Sequence, residues 1–289
     1  MAQIKALLFS DPSCPWGYSA NPALRTLEWR YRDQIEWHLA VIGLSDENNP
    51  VPYPPEKLSD LYFDFRERFG MPFAIETKMR PVTSARACQV ITAARLLSPG
   101  SEWRVLRTLQ LLHFNTPLLL DDDAQLTEAL GTVPDLDANA VMAIVDSPEV
   151  QQAFQEDYDH ARSATGGATH LQSKTASVDG GGQRYTAPSV IFEEGDRRVE
   201  VGGFQPVEAY DVVIANLDPT LKRMDSAEDP LDALSLYPAG LTTQETAAVM
   251  AVGMAQPDRT ETERKLVHLL GDEKVKRVPL GNDALWVAA

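Results

Sequence analysis

The residues best suited to chemistry stand near the start of the chain, in the run Asp11-Pro12-Ser13-Cys14-Pro15-Trp16-Gly17. A thiol attacks only as thiolate, and the free N–H groups and dipole at a helix N-terminus favour that anion. A turn, a cysteine, a proline, an aromatic ring and a small residue at the head of a helix supply such a setting, so Cys14 is expected to be an activated nucleophile. In a dithiol site a second cysteine three residues on resolves the mixed disulfide; here that position is Gly17, and the motif holds one thiol. A single thiol can still attack a disulfide, carry a small thiol as a mixed disulfide, and wait for a second thiol to release it. It can also bind a thiol cofactor without covalent chemistry.

The remaining candidates are weaker. Cys88 lies among small and apolar residues, Ala85, Ala87, Val90 and Ile91, where a helical cysteine is a buried packing residue; a distal resolving thiol is the alternative. His38 sits mid-strand and reads as structural, and His113, His160, His170 and His268 share no metal-ligand spacing with each other or with the cysteines. Asp121-Asp122-Asp123 lacks the glycine and terminal glutamate of a calcium loop and is expected to cap the following helix. No glycine-rich loop follows a strand, so nucleotide binding has no support. Trp16 can stack on a substrate or pack beneath neighbouring helices.

The elements that must position Cys14 follow from periodicity. Residues 4–9 are an apolar run closed by a turn cluster, as in a buried strand. Residues 20–31 carry Leu24, Leu27 and Tyr31 at helical spacing, with Pro22 predicting a kink or early break. Residues 35–42 alternate as a second strand. Residues 48–55 hold four prolines and read as a surface loop, and from there to about 167 some seven helical runs succeed one another without a strand. Gly166-Gly167 and Gly180-Gly181-Gly182 flank a polar stretch expected to be a mobile loop. Residues 185–192 and 197–201 form a hairpin about Gly195-Asp196, and 205–217 a closing helix.

With 289 residues, 44% hydrophobic and 24% charged, the chain can bury a real core. Two cysteines cannot staple a protein of this size, so packing must hold it. A net charge of −16 argues against duplex nucleic acid or an anionic membrane as partner. The N-terminal apolar run is shorter than a signal h-region and no stretch approaches a membrane span, so the cytoplasm is the expected compartment.

The Cys14 motif resembles the active-site turn of the DsbA family of thioredoxin-like proteins, in particular the FrnE-like branch of dithiol–disulfide isomerases, which typically reads Cys-Pro-Trp-Cys. The resemblance extends to the helical insertion, to Thr186-Ala187-Pro188 as a cis-proline loop, and to residues 202–206 as the turn before the last helix; it covers roughly residues 4–217. It implies an α/β thioredoxin-like fold with an all-helical insertion at about 56–170. It also implies that Cys14 is the attacking thiol and Pro188 the cis-proline facing it. Substrate would lie on Pro15, Trp16, Gly17, Thr186 and Ala187, the last pairing an incoming chain through its backbone. The implied activity is thiol–disulfide exchange with a disulfide-containing protein or a small thiol. No covalently bound cofactor and no metal is expected; glutathione or another low-molecular-weight thiol is the implied small partner. The related kappa-class glutathione transferases and hydroxychromene-carboxylate isomerases, which have serine in place of the cysteine, give a glutathione-dependent transferase or isomerase as the alternative. A redox-inactive binding protein or regulator is the third.

Residues 218–289 change in composition and order as helix, helix, helix, hairpin, which looks like a winged helix; Thr242 with Glu245 fits a capping box at the middle helix. Between 258 and 283 six basic residues meet six acidic ones, leaving no basic stripe for phosphates, so an intramolecular or dimer-forming role is favoured over DNA binding, and a homodimer is compatible with the sequence.

Overall fold

The computed structural model describes residues 4–76 and 78–289; Met1, Ala2 and Gln3, the start of the segment read as too short for a signal sequence, lie outside the described residues. The chain opens with β1 (Ile4–Ser10), α1 (Pro15–Ser19), α2 (Asn21–Tyr31) and β2 (Ile35–Val41). The expected break falls between α1 and α2, because Pro22 lacks an N–H and is tolerated only in the first turn of the second helix. β1 pairs parallel with β2, Leu8 opposite Leu39.

Seven helices follow: α3 (Pro55–Phe69), α4 (Ala85–Leu97), α5 (Glu102–Asn115), α6 (Asp123–Leu130), α7 (Ala138–Ile144), α8 (Pro148–Ala161) and α9 (Ala168–Leu171). Their ends obey local chemistry. Gly70 closes α3 at φ 72° with its N–H on the Arg66 carbonyl. Asp122 caps α6 by accepting from the Gln125 amide, as expected of the aspartate triplet, while Asp121 pairs with Arg80 and Asp123 with Arg86.

The stretch between the two glycine groups is not the loop expected. α9 is followed by β3 (Thr175–Ser177) and β4 (Gln183–Tyr185), a small antiparallel hairpin turning through the triple glycine. The strand expected over 185–192 is correspondingly shorter: Tyr185 ends β4, and after the cis Ala187–Pro188 bond the main sheet resumes at β5 (Ser189–Glu194), β6 (Arg197–Val201) and α10 (Val207–Leu217). The sheet order is β2-β1-β5-β6, with β1 inside and β5 antiparallel to it. One core of Ile4, Leu8, Leu24, Leu27, Leu39 and Phe192 joins this sheet to α2, α4, α5 and α10. It is a mixed α/β protein with a thioredoxin fold.

The chain ends in α11 (Pro230–Ser235), β7 (Leu241–Thr242), α12 (Thr243–Met250), α13 (Arg259–Gly271), β8 (Val275–Leu280) and β9 (Asp283–Ala288), with β7, two residues long and unforeseen, completing a β7-β9-β8 sheet. This order is consistent with a winged-helix-like unit. Its own core is built on Trp286, Leu241, Val249 and Leu266, and Trp29 of α2 packs into it. The capping box at Thr242 and Glu245 is formed, and Glu245 also takes a two-pronged bond from Arg107 of α5, at 2.7 and 3.3 Å. Burial raises the pKa of Glu245, but the Arg107 guanidinium outweighs it and holds the carboxyl below the ordinary range. The last unit is thus tied to the first by a desolvated ion pair.

Candidate active site

Cys14 caps α1, its backbone extended (φ −84°, ψ 113°) and its carbonyl accepting from the Tyr18 amide. The turn that presents it is held by Asp11, wholly buried. One carboxylate oxygen accepts from the Ser13 amide and hydroxyl, at 2.9 and 2.7 Å, and the other from the Leu44 amide and Ser84 hydroxyl, at 2.9 and 3.0 Å. The aspartate in the motif therefore ties the cysteine turn to the segment after β2 and to the head of α4, a role that the sequence reading did not assign.

The Cys14 sulfur donates to the carbonyl of Ala187, 3.4 Å away, which is the carbonyl of the cis imide bond to Pro188. Ala187 and Pro188 are buried beside it; Thr186, half-buried, donates its hydroxyl to the Lys174 carbonyl. Gly17 stands against the same group. A Cβ at position 17 would lie 3.6 Å from the Cβ of Cys14, 3.7 Å from that of Ala187 and 3.1 Å from the Ser10 hydroxyl. Trp16 is 38% exposed. Its ring meets Phe65, Phe69 and Phe204 edge-on at 4.9–5.7 Å, with the Arg68 guanidinium over it.

The electrostatics differ from the sequence expectation. The amides of Gly17 and Trp16 do favour the thiolate, but Cys14 is only 7% exposed, packed among Phe9, Ala161, Ala164, Tyr185 and Ala187, and burial pushes its pKa from 9.0 up to about 11. Nearby Asp11 pushes the same way, and Arg184 only partly opposes it. The resting sulfur is a protonated thiol. It is not sealed in: Cys14, Pro15 and Trp16 line a cavity of about 530 Å³ roofed by residues 49–53 and by Leu58, Leu61 and Tyr62 of α3. Lys78, Arg80, His113 and Arg184 complete the wall, and no aspartate or glutamate is among the described lining residues. Sequence reasoning missed these four; only Arg184, two residues before Thr186, had a positional signal.

Cys88 is fully buried, away from the cavity, its sulfur 3.6 Å from Asp11, and both cysteines are free. His38 lies half-exposed beside Glu36. Among the described residues no group of three or more His, Cys, Asp or Glu could hold a metal ion, and no helix is long and apolar enough to cross a membrane.

Comparison with known proteins supplies the context. No curated protein matches the sequence. Among solved structures, a Nitrosomonas europaea protein assigned as a protein disulfide isomerase is similar at 15% identity and a TM-score of 0.57, over 74% of this chain and 97% of its own. The cytosolic disulfide reductase DsbM from Pseudomonas aeruginosa is similar at 16% identity and a TM-score of 0.51, over 75% of this chain and all of its own. The same reductase solved with glutathione (GSH) gives 17% and 0.50, over 74% and 98%. At such identities the likeness is one of fold. A family model matches residues 7–165, more than half of the chain and spanning the Cys14 turn, and the chain therefore belongs to the DSBA-like thioredoxin domain family.

Proposed function

We propose that the protein is a thiol–disulfide oxidoreductase that works through the single thiol of Cys14, with a low-molecular-weight thiol as second reactant. The family supports the class of chemistry. The observation that carries the single-thiol form is the placement of Cys14 on a cavity wall against the Ala187–Pro188 imide, with glycine where a resolving thiol would stand. In the first step the Cys14 thiolate attacks one sulfur of a disulfide, forming a mixed disulfide and expelling the other sulfur as a thiolate that takes up a proton. In the second step a small thiol, deprotonated, attacks the mixed disulfide and releases Cys14, the pair of half-reactions conserving electrons without an outside oxidant. Cys14 must lose its proton before each cycle. Arg184 is the nearby cation that offsets the charge then formed, since its one hydrogen bond among the described residues goes to the Tyr185 carbonyl rather than to an acid. Trp16, Pro15 and Thr186 would form the surface on which the substrate lies. Glutathione is the small thiol we infer, supported by the fold neighbour solved with it, and the cytoplasm is the compartment we infer, supported by the neighbour described as cytosolic.

The test is turnover of the mixed disulfide of glutathione and β-mercaptoethanol with glutathione, wild type against Cys14→Ser. The expected loss is at least about 10³-fold, as for removal of any essential nucleophile; equal rates defeat the proposal. One observation favours a second reading. A protonated thiol can donate its S–H to the thiolate of a bound cofactor, as a transferase or isomerase of the kappa type would require, and Cys14 rests protonated. In that case the serine variant keeps its activity.

A further inference from the structure

Two side chains of the Cys14 cavity have unfilled valences. Lys78 donates its ammonium to the carbonyls of Thr116 and Leu118, at 2.9 and 2.8 Å, and no carboxylate pairs with it among the described residues. Burial without a counter-charge lowers its pKa to about 8. His113 is 4% exposed, and burial first, then the Lys78 charge, keep it neutral. Its Nδ1 is buried, with no hydrogen-bond partner among the described residues. Lys78 thus stands on the cavity wall as a charged donor with no acid to neutralise it among the described residues. Of the remaining cations, Arg80 is gripped by both oxygens of Asp121, while Arg184 has no acid partner among the described residues. In a chain of net charge −16 the described lining of this cavity carries cations and no acid, so an anionic ligand meets Lys78 and Arg184 rather than carboxylates.

We infer that Lys78 forms a subsite for a carboxylate at the amino-acid or peptide end of a small thiol whose sulfur is directed to Cys14. This deepens the small-thiol reading above and rests on it.

Calorimetric titration of the full chain with S-methylglutathione, a thioether that cannot exchange, tests the subsite. Lys78→Gln is expected to weaken binding at least about tenfold, the scale of one charge-assisted hydrogen bond. The ligand with both carboxylates converted to amides should lose about the same factor on wild type and show no further loss on Lys78→Gln. Equal binding to wild type and Lys78→Gln, equal binding of acid and amide, or no binding by wild type each overturns the inference. Because the probe involves no sulfur chemistry, the two ideas fail separately. Carboxylate-dependent binding by a protein that turns over no disulfide keeps the subsite and removes the exchange reading. Cys14-dependent turnover without such binding does the reverse.

Discussion

Two buried polar regions of this molecule solve the same desolvation problem in opposite ways. In and around the C-terminal unit, buried and half-buried charges stand against one another: Arg107 of α5 on Glu245, Arg259 on Asp283 within the unit, and Arg25 on Glu28 within α2. In the cavity beside Cys14 they do not. Among the described residues Lys78 and Arg184 have no acid paired with them, and the thiol keeps its proton. Removing a charge from water is costly unless a partner of opposite sign repays it. A cluster that serves only the fold can supply that partner from within. The open valences of the cavity are what a ligand would close, and the contrast between the two regions yields three further tests.

The largest effect concerns the thiol. With a pKa of about 11, roughly one Cys14 in 10⁴ is thiolate at pH 7. Alkylation by iodoacetamide, followed by mass spectrometry, should therefore speed up about tenfold per pH unit through the alkaline range and level off only near 11. Cys88, with no cavity and with burial and then Asp11 raising its pKa well above 9.0, should stay unlabelled until the chain unfolds. A plateau for Cys14 by pH 8 would break the contrast, since it would mean a site already electrostatically satisfied. Stability carries the same signature. Between pH 9 and about 11 folded Cys14 keeps a proton that the unfolded chain has released, so stability falls as the pH rises through that window, by up to about 3 kcal/mol for this one group.

Next in size is the pair of substitutions that compares the two regions directly. Arg107→Met leaves the Glu245 carboxylate buried without its cation and should cost about 3–5 kcal/mol in urea unfolding. Lys78→Met removes a desolvated charge with no acid partner among the described residues but leaves the Thr116 and Leu118 carbonyls without their donor, and should cost about 1–2 kcal/mol, less than the loss of Arg107. Equal losses would mean that Lys78 is structural.

Much of this was legible in the sequence where the cause is local. The apolar run of β1, the turn residues before Cys14, the break at Pro22, the aspartate cap of α6 and the capping box of α12 are each set by neighbours within a few positions. What was not legible is made by remote segments. β3, β4 and β7 are two or three residues long, too short for a period-2 pattern to register, and exist because something distant pairs with them. The thiol was misjudged for the same reason: its helix-terminal amides are local, but the burial that outweighs them comes from Ala161, Ala164 and Tyr185. Lys78, His113 and Arg184 reach the cavity from three separate stretches, with no spacing to connect them.

The smallest expected effect on stability, and the most informative on chemistry, is Gly17→Cys. Gly17 does not need a left-handed backbone, so a side chain is admissible there. Its Cβ would stand 3.6 Å from that of Cys14, inside the 3.5–4.5 Å that a disulfide spans. The tight neighbour is the Ser10 hydroxyl at 3.1 Å, the end of a short side chain that can turn away. The reduced variant should therefore lie within about 1 kcal/mol of wild type. On mild oxidation its intact mass should drop by about two hydrogens, a change not expected of wild type, whose second cysteine, Cys88, is fully buried and not among the residues lining the cavity. The variant should then oxidise a dithiol substrate without a small thiol, whereas wild type requires one. If the mass does not change, the absence of a resolving cysteine is not what limits this site, and the geometry around Gly17 has moved away from dithiol chemistry altogether.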